Sequence, residues 1–113
     1  MKTLHAGEAC HVMAEGEVLN ADEKRYPLYH AVLYGDRVLT AKLSKRLSCA
    51  IKHLPLRLSF SYEYDTLKAL QEGISTDPTL MLEGTLFLEG LVCAEEITEA
   101  FERFLAAKEK HRG

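Results

Sequence analysis

Residues 79–90 read Thr-Leu-Met-Leu-Glu-Gly and then Thr-Leu-Phe-Leu-Glu-Gly, with Pro78 set immediately ahead of the first copy. This near-duplication predicts two short antiparallel strands joined by a tight turn at Glu83-Gly84. Gly84 is free to take the positive φ that such a turn demands. The stretch from Cys93 to about Lys108 then predicts an amphipathic helix. Its buried stripe is Ile97, Ala100, Phe101, Phe104 and Leu105. Glu95 and Glu96 fall in its first turn, where negative side chains complement the helix dipole. The tail beyond Lys108 is expected to fray.

Switches in apolar period mark the remaining elements. Leu28–Tyr34 is apolar almost throughout and ends at Gly35-Asp36, the pattern of a central strand covered on both faces. Asp36 suits the N-cap of a helix starting at Arg37. Leu39, Leu43, Leu47, Ile51 and Leu54 recur at helical spacing, widened by Val38 and Ala50, until Pro55 ends the helix. Leu56–Glu63 alternates, with Leu56, Leu58, Phe60 and Tyr62 on one side and Arg57, Ser59, Ser61 and Glu63 on the other. That marks a strand at or near a sheet edge. A short helix over Leu67–Gln71, opened by Asp65 or Thr66, has Leu67 and Leu70 as its apolar face and Gly73 as its stop. The order from Leu28 onward is β-α-β-α-β-β-α, with the first βαβ unit parallel and right-handed. Ahead of it, residues 1–27 form an N-terminal extension with one short strand within Cys10–Leu19. That strand either adds to the edge at Leu56–Glu63 or crosses to a second copy of the chain. Residues 28–113 form the main domain.

Composition narrows the function. With 47% hydrophobic and 27% charged residues, the 113-residue chain has the make-up of one folded domain rather than of a disordered segment. A net charge of −3 offers no global basic field for nucleic acid. No apolar run is long enough for a bilayer, and the first residues lack the apolar core of a secretory signal. Three widely spaced cysteines, Cys10, Cys49 and Cys93, favour free thiols in a reducing cytoplasm over a disulfide framework.

The β-α-β-α-β-β-α order, with Ser75-Thr76-Asp77-Pro78 before the hairpin and an acidic-start helix after it, resembles the thioredoxin fold over roughly Leu28–Ala107. The resemblance implies an α/β fold with a mixed sheet of four to five strands and helices on both faces. It implies a cis Asp77–Pro78 bond whose backbone faces an extended partner. It also exposes a departure. Members of that family carry Cys-x-x-Cys, or one cysteine, at the turn after the first core strand, where a helix N-terminus lowers the thiol pKa. Here the turn reads Gly35-Asp36-Arg37-Val38-Leu39-Thr40-Ala41, with Val38 and Ala41 in the cysteine slots. Dithiol chemistry is not expected there, and a shared fold confers no activity by itself.

The residues left for function are few. Arg37, Val38, Leu39, Asp77, Pro78, Leu91 and Val92 form the expected contact surface for a protein partner or for a second copy in a homodimer. Cys93, at a helix N-terminus, is the candidate catalytic thiol of an alternative, single-cysteine reading. A third reading has an anion at the helix start beside Arg37. Cys49 reads as a packing residue. Cys10-His11 with His5 and His30 lacks the ligand spacing of a zinc site, so neither metal nor cofactor is expected. The basic helix face of Arg37, Lys42, Lys45, Arg46 and Lys52 has no interleaved aromatic residues and the chain is acidic overall, so nucleic acid is not an expected partner; nor, with no apolar run of bilayer length, is a membrane.

Overall fold

The computed structural model describes residues 10–112, and His5 lies outside them. Five strands form one mixed sheet: β1 (Val18–Leu19), β2 (Leu28–Tyr34), β3 (Arg57–Glu63), β4 (Thr79–Leu82) and β5 (Thr85–Glu89). Three helices join them among the described residues: α1 (Arg37–Ile51), α2 (Thr66–Gln71) and α3 (Ala94–Arg112). The strand order is β1-β3-β2-β4-β5, with β2 and β3 parallel and every other pairing antiparallel. No helix of the described residues is long and apolar enough to cross a membrane.

Alternation along the strands builds the core. Ala31 and Leu33 of β2, Leu58 and Phe60 of β3, and Leu80 and Leu82 of β4 are buried on one sheet face. Against them pack Leu43, Leu47 and Ile51 of α1 with Ile97 and Phe101 of α3. The opposite face of β2 is not covered as the sequence suggests: Leu28 and His30 are exposed and Val32 is half-buried. The physical reason is that α2 is only six residues long and buries none of them. Leu67 and Leu70, expected to be its buried face, stand 68% and 58% exposed. Likewise α3 does not fray at Lys108 but continues to Arg112.

The hairpin turn uses positive φ at both central residues, Glu83 (53°) and Gly84 (77°). A glutamate in this region is uncommon. It is held there because its N–H donates to the carbonyl of His30 (3.0 Å), while its carboxylate accepts from the His30 N–H (2.6 Å).

The segment before β2 is part of the core rather than an appendage. From Cys10 it runs as a strap along α1. Cys10 is disulfide-bonded to Cys49, His11 exchanges hydrogen bonds with the Ser48 hydroxyl, and the Met13 N–H donates to Ser44 Oγ (2.8 Å). Met13 is buried in the main cluster, and Ser44 and Ser48 are buried beside it. After a turn at Gly16, the strap pairs with the β3 edge of its own chain through Val18↔Ser59 and Leu19↔Leu58. Gly16 N–H to Phe60 O (2.7 Å) and Phe60 N–H to Glu17 O (3.0 Å) extend that pairing. The edge strand is therefore closed in cis.

This corrects the reading of the cysteines. Two of the three are bonded across 39 residues, and Cys93 is the free one. Cys49 is a cross-link rather than a packing residue. A loop of that length, closed in the unfolded chain, gives a stabilisation of about 4 kcal/mol by chain entropy. Reduction of the bond is expected to lower the unfolding free energy by about 2–4 kcal/mol, read as a fall in urea midpoint with dithiothreitol present. An unchanged midpoint would mean that the strap is not coupled to global unfolding.

Candidate functional site

The turn between β2 and α1 is built from two adjacent residues, Gly35 and Asp36, and one distant one, Asp77. Gly35 has φ 143°, and a β-carbon on it would collide with Asp77 Oδ1 and lie 3.2 Å from the Pro78 Cα. Only glycine lets the Asp77 carboxylate approach. The Asp36 N–H then donates to both Asp77 oxygens, at 3.2 and 3.3 Å. Asp36 is the N-cap of α1, and its own carboxylate accepts from Leu39 N–H at 2.9 Å. The Asp36 carbonyl accepts from the N–H and the hydroxyl of Thr40. Two carboxylates thus occupy the positive end of the α1 dipole. Their charge opposes an external anion at this helix start, which counts against an anion held beside Arg37. The Asp77–Pro78 peptide bond is cis, and the Pro78 carbonyl accepts from Gly90 N–H (2.7 Å), which sets the chain ahead of Leu91 beside this turn.

The sequence-derived surface residues are only partly gathered here. Val38 does not join the buried stripe of α1; it stands 63% exposed, while Thr40, Ser44 and Ser48 take the buried positions facing the strap. Leu39 is half-buried. Leu91 and Val92 pack partly against the core, and their carbonyls accept from Arg46 Nη1 at 3.1 and 2.9 Å. Cys93 is exposed directly ahead of α3, and its carbonyl accepts from Ile97 N–H (3.1 Å). Its Sγ lies 3.5 Å from Glu96 Oε1. The neighbouring Ala94 shares a cavity with Lys42, Lys45, Arg46 and Cys49, so Cys93 lies along the side of α1 rather than at its start.

Aromatic residues that the sequence pattern did not single out frame the turn instead. The Arg37 guanidinium lies 4.1 Å above the Tyr64 ring, which stacks on Tyr62 at 6.1 Å and 10°. On one side of this stack is a cavity of about 240 Å3 whose walls include Tyr34, Asp36, Tyr64, Leu70, Ile74 and Asp77. On the other side is a second cavity of about 330 Å3, walled by the strap residues Val12–Glu15 together with Arg37, Thr40, Ala41 and Tyr62. The strap flanks the turn without sealing it, because Val38, Tyr64, Leu67 and Leu70 remain open to solvent. The alternation that placed Tyr62 on the inner face carries on to Tyr64 two residues later, and that was the available signal. Among the described residues, no three histidine, cysteine or acidic side chains converge as a metal site would require.

Tyr62 ties the strap to the sheet. Its hydroxyl donates to the Met13 carbonyl and pairs with Ser44 Oγ (2.7 Å), which in turn accepts from the Met13 N–H. Burial pushes the Tyr62 phenol above its ordinary value of 10.0, with a smaller opposing effect from Ser44. Tyr34, at the cavity wall, is raised as well, again mainly by burial. On the surface, Glu17 is lowered, mainly by the Ala14 N–H that it accepts.

Compared with known proteins, the chain matches no family model, no curated protein and no solved structure.

Two outcomes test this geometry. A raised phenol favours folding fully below pH 10 and loses that contribution as pH rises through the folded-state value. Unfolding free energy is therefore expected to fall above about pH 10, and Tyr62→Phe to reduce that slope. Gly35→Ala is expected to cost about 1–3 kcal/mol from backbone strain alone, read by urea unfolding, with Gly16→Ala as a comparison lacking the Asp77 contact.

Proposed function

We propose that the chain is a thioredoxin-like α/β domain that does no dithiol chemistry at its β2–α1 turn and serves as a protein-interaction module. The observation that carries the reading is the pair of carboxylates, Asp36 and Asp77, at the start of α1, with no sulfur anywhere in Gly35–Ala41. The strand order and the parallel β2–α1–β3 unit support the fold assignment. What supports an interaction role is the set of exposed side chains at this end of the sheet: Val38, Tyr64, Leu67 and Leu70, placed around a cavity. Aromatic and aliphatic side chains with an arginine among them have the composition of a protein contact. Of the other residues expected in that contact, Pro78 is buried and Leu39, Leu91 and Val92 are half-buried. The occupant is a second copy of this chain or a protein partner.

A second reading places function at Cys93, a solvent-exposed thiol at the N-cap of α3. The Glu96 carboxylate lies 3.5 Å from its sulfur. The cytoplasmic placement rests on unpaired thiols, and with Cys10 bonded to Cys49 that premise holds for Cys93 alone.

Sedimentation velocity over a wide concentration range separates these outcomes. Self-association through the exposed cluster is expected to raise the sedimentation coefficient with concentration in the native chain. Val38→Glu with Leu67→Glu is expected to abolish that rise while leaving the far-ultraviolet spectrum unchanged. Self-association that persists in the variant would remove this surface from the account. Alkylation of Cys93 monitored against pH tests the second reading: a midpoint near the ordinary ~8.5 would dismiss it.

A further inference from the structure

In the last turn of α1, on the side away from the sheet, the Cys10–Cys49 disulfide meets a second chemistry-bearing feature. A cavity of about 270 Å3 opens between α1 and the start of α3, walled by Lys42, Lys45, Arg46, Cys49 and Ala94. Cys49 belongs to its wall and Cys10 does not. Arg46 is fixed there by the Leu91 and Val92 carbonyls, which are neutral acceptors and leave its charge in place. Among the described residues neither Lys42 nor Lys45 lies within ion-pair distance of a carboxylate; the pairs found are His11–Glu17 and Lys68–Glu63. Three cations therefore line the cavity to which Cys49, one half of the disulfide, also contributes.

Disulfides are opened by a thiolate, and the rate depends on access, on which sulfur is attacked and on local charge. A cationic wall raises the local concentration of an anion and stabilises the negative charge brought to the sulfur. We infer that Cys49 is a thiolation site for small thiols that carry an additional negative charge. The incoming thiolate forms a bond to Cys49 Sγ, the Cys49–Cys10 bond breaks, and its electron pair leaves on Cys10 Sγ, which takes a proton from water. The products are a mixed disulfide at Cys49 and a free thiol at Cys10, with no net oxidation or reduction. The strap keeps its hydrogen bonds through His11, Met13 and Gly16 but loses its covalent tie to α1.

The test uses the full oxidised chain carrying Cys93→Ser, so that no third sulfur takes part. It is treated with 3-mercaptopropionate, 2-mercaptoethanol or cysteamine, quenched in acid at early times, alkylated and mapped by mass spectrometry. The adduct is expected on Cys49 with the alkyl group on Cys10. Rates per thiolate are expected to rank anionic over neutral over cationic, spanning about tenfold at low salt and narrowing at high salt. Lys42→Glu with Lys45→Glu should reverse the ranking, in a variant whose far-ultraviolet spectrum and urea midpoint match those of the parent chain. Adducts placed mainly on Cys10, or a ranking that those substitutions leave unchanged, would overturn the inference.

Discussion

The N–H groups that open a helix have no partners within it, and how they are satisfied decides what the β2–α1 turn can do. Here carboxylates satisfy two of the four, the Asp36 and Leu39 N–H groups. Asp36 caps from its own position, and Asp77 reaches across from the loop before β4, which joins the first half of the sheet to the hairpin. This arrangement requires Gly35, because a side chain there would collide with the Asp77 carboxylate. The site with the most favourable electrostatics for a reactive thiolate is thus filled by fixed negative charge. A contact surface on this end of the sheet is compatible with that filling; sulfur chemistry at the same spot is opposed by it.

A second constraint acts at the other sheet edge. β3 would offer unpaired backbone groups, and β1 supplies only two residues to meet them. The rest of the cover comes from the strap, which is held by side chains instead of a ladder: Ser44 and Ser48 from α1 and Tyr62 from β3. The disulfide then fixes the free end of that cover. Polar groups buried on the strap side of α1 are each partnered, which is what makes a serine-rich helix face compatible with a packed interior.

Much of this was legible in the sequence because it is local. The hairpin is written in the repeated Leu-Glu-Gly, the α1 stripe in Leu43, Leu47 and Ile51, and the edge strand in the alternation ending at Tyr62. The turn lacking cysteine was equally plain. What failed depends on partners far along the chain. Cys49 gives no hint of Cys10 across 39 residues, and Ser44 and Ser48 look like a polar helix face until a strap is laid on them. Leu67 and Leu70 have helical spacing, but two turns are too short to press both into the sheet. The exposed half of β2 was misjudged for the same reason: apolar composition says that a strand can be covered, not that a helix is present to cover it. At the site, Asp77 and Pro78 are legible in the sequence, whereas the role of Tyr64 comes from standing beneath Arg37, a contact between separate elements.

The central claim is that the start of α1 carries charge where a dithiol would act. Its most direct measurement is the precipitation of insulin in dithiothreitol, with and without the purified chain. The account predicts an onset time unchanged by the protein. An onset shortened in proportion to protein concentration, and lost when Cys10, Cys49 and Cys93 are all serine, would contradict the account by making the chain a sulfur-based reductant.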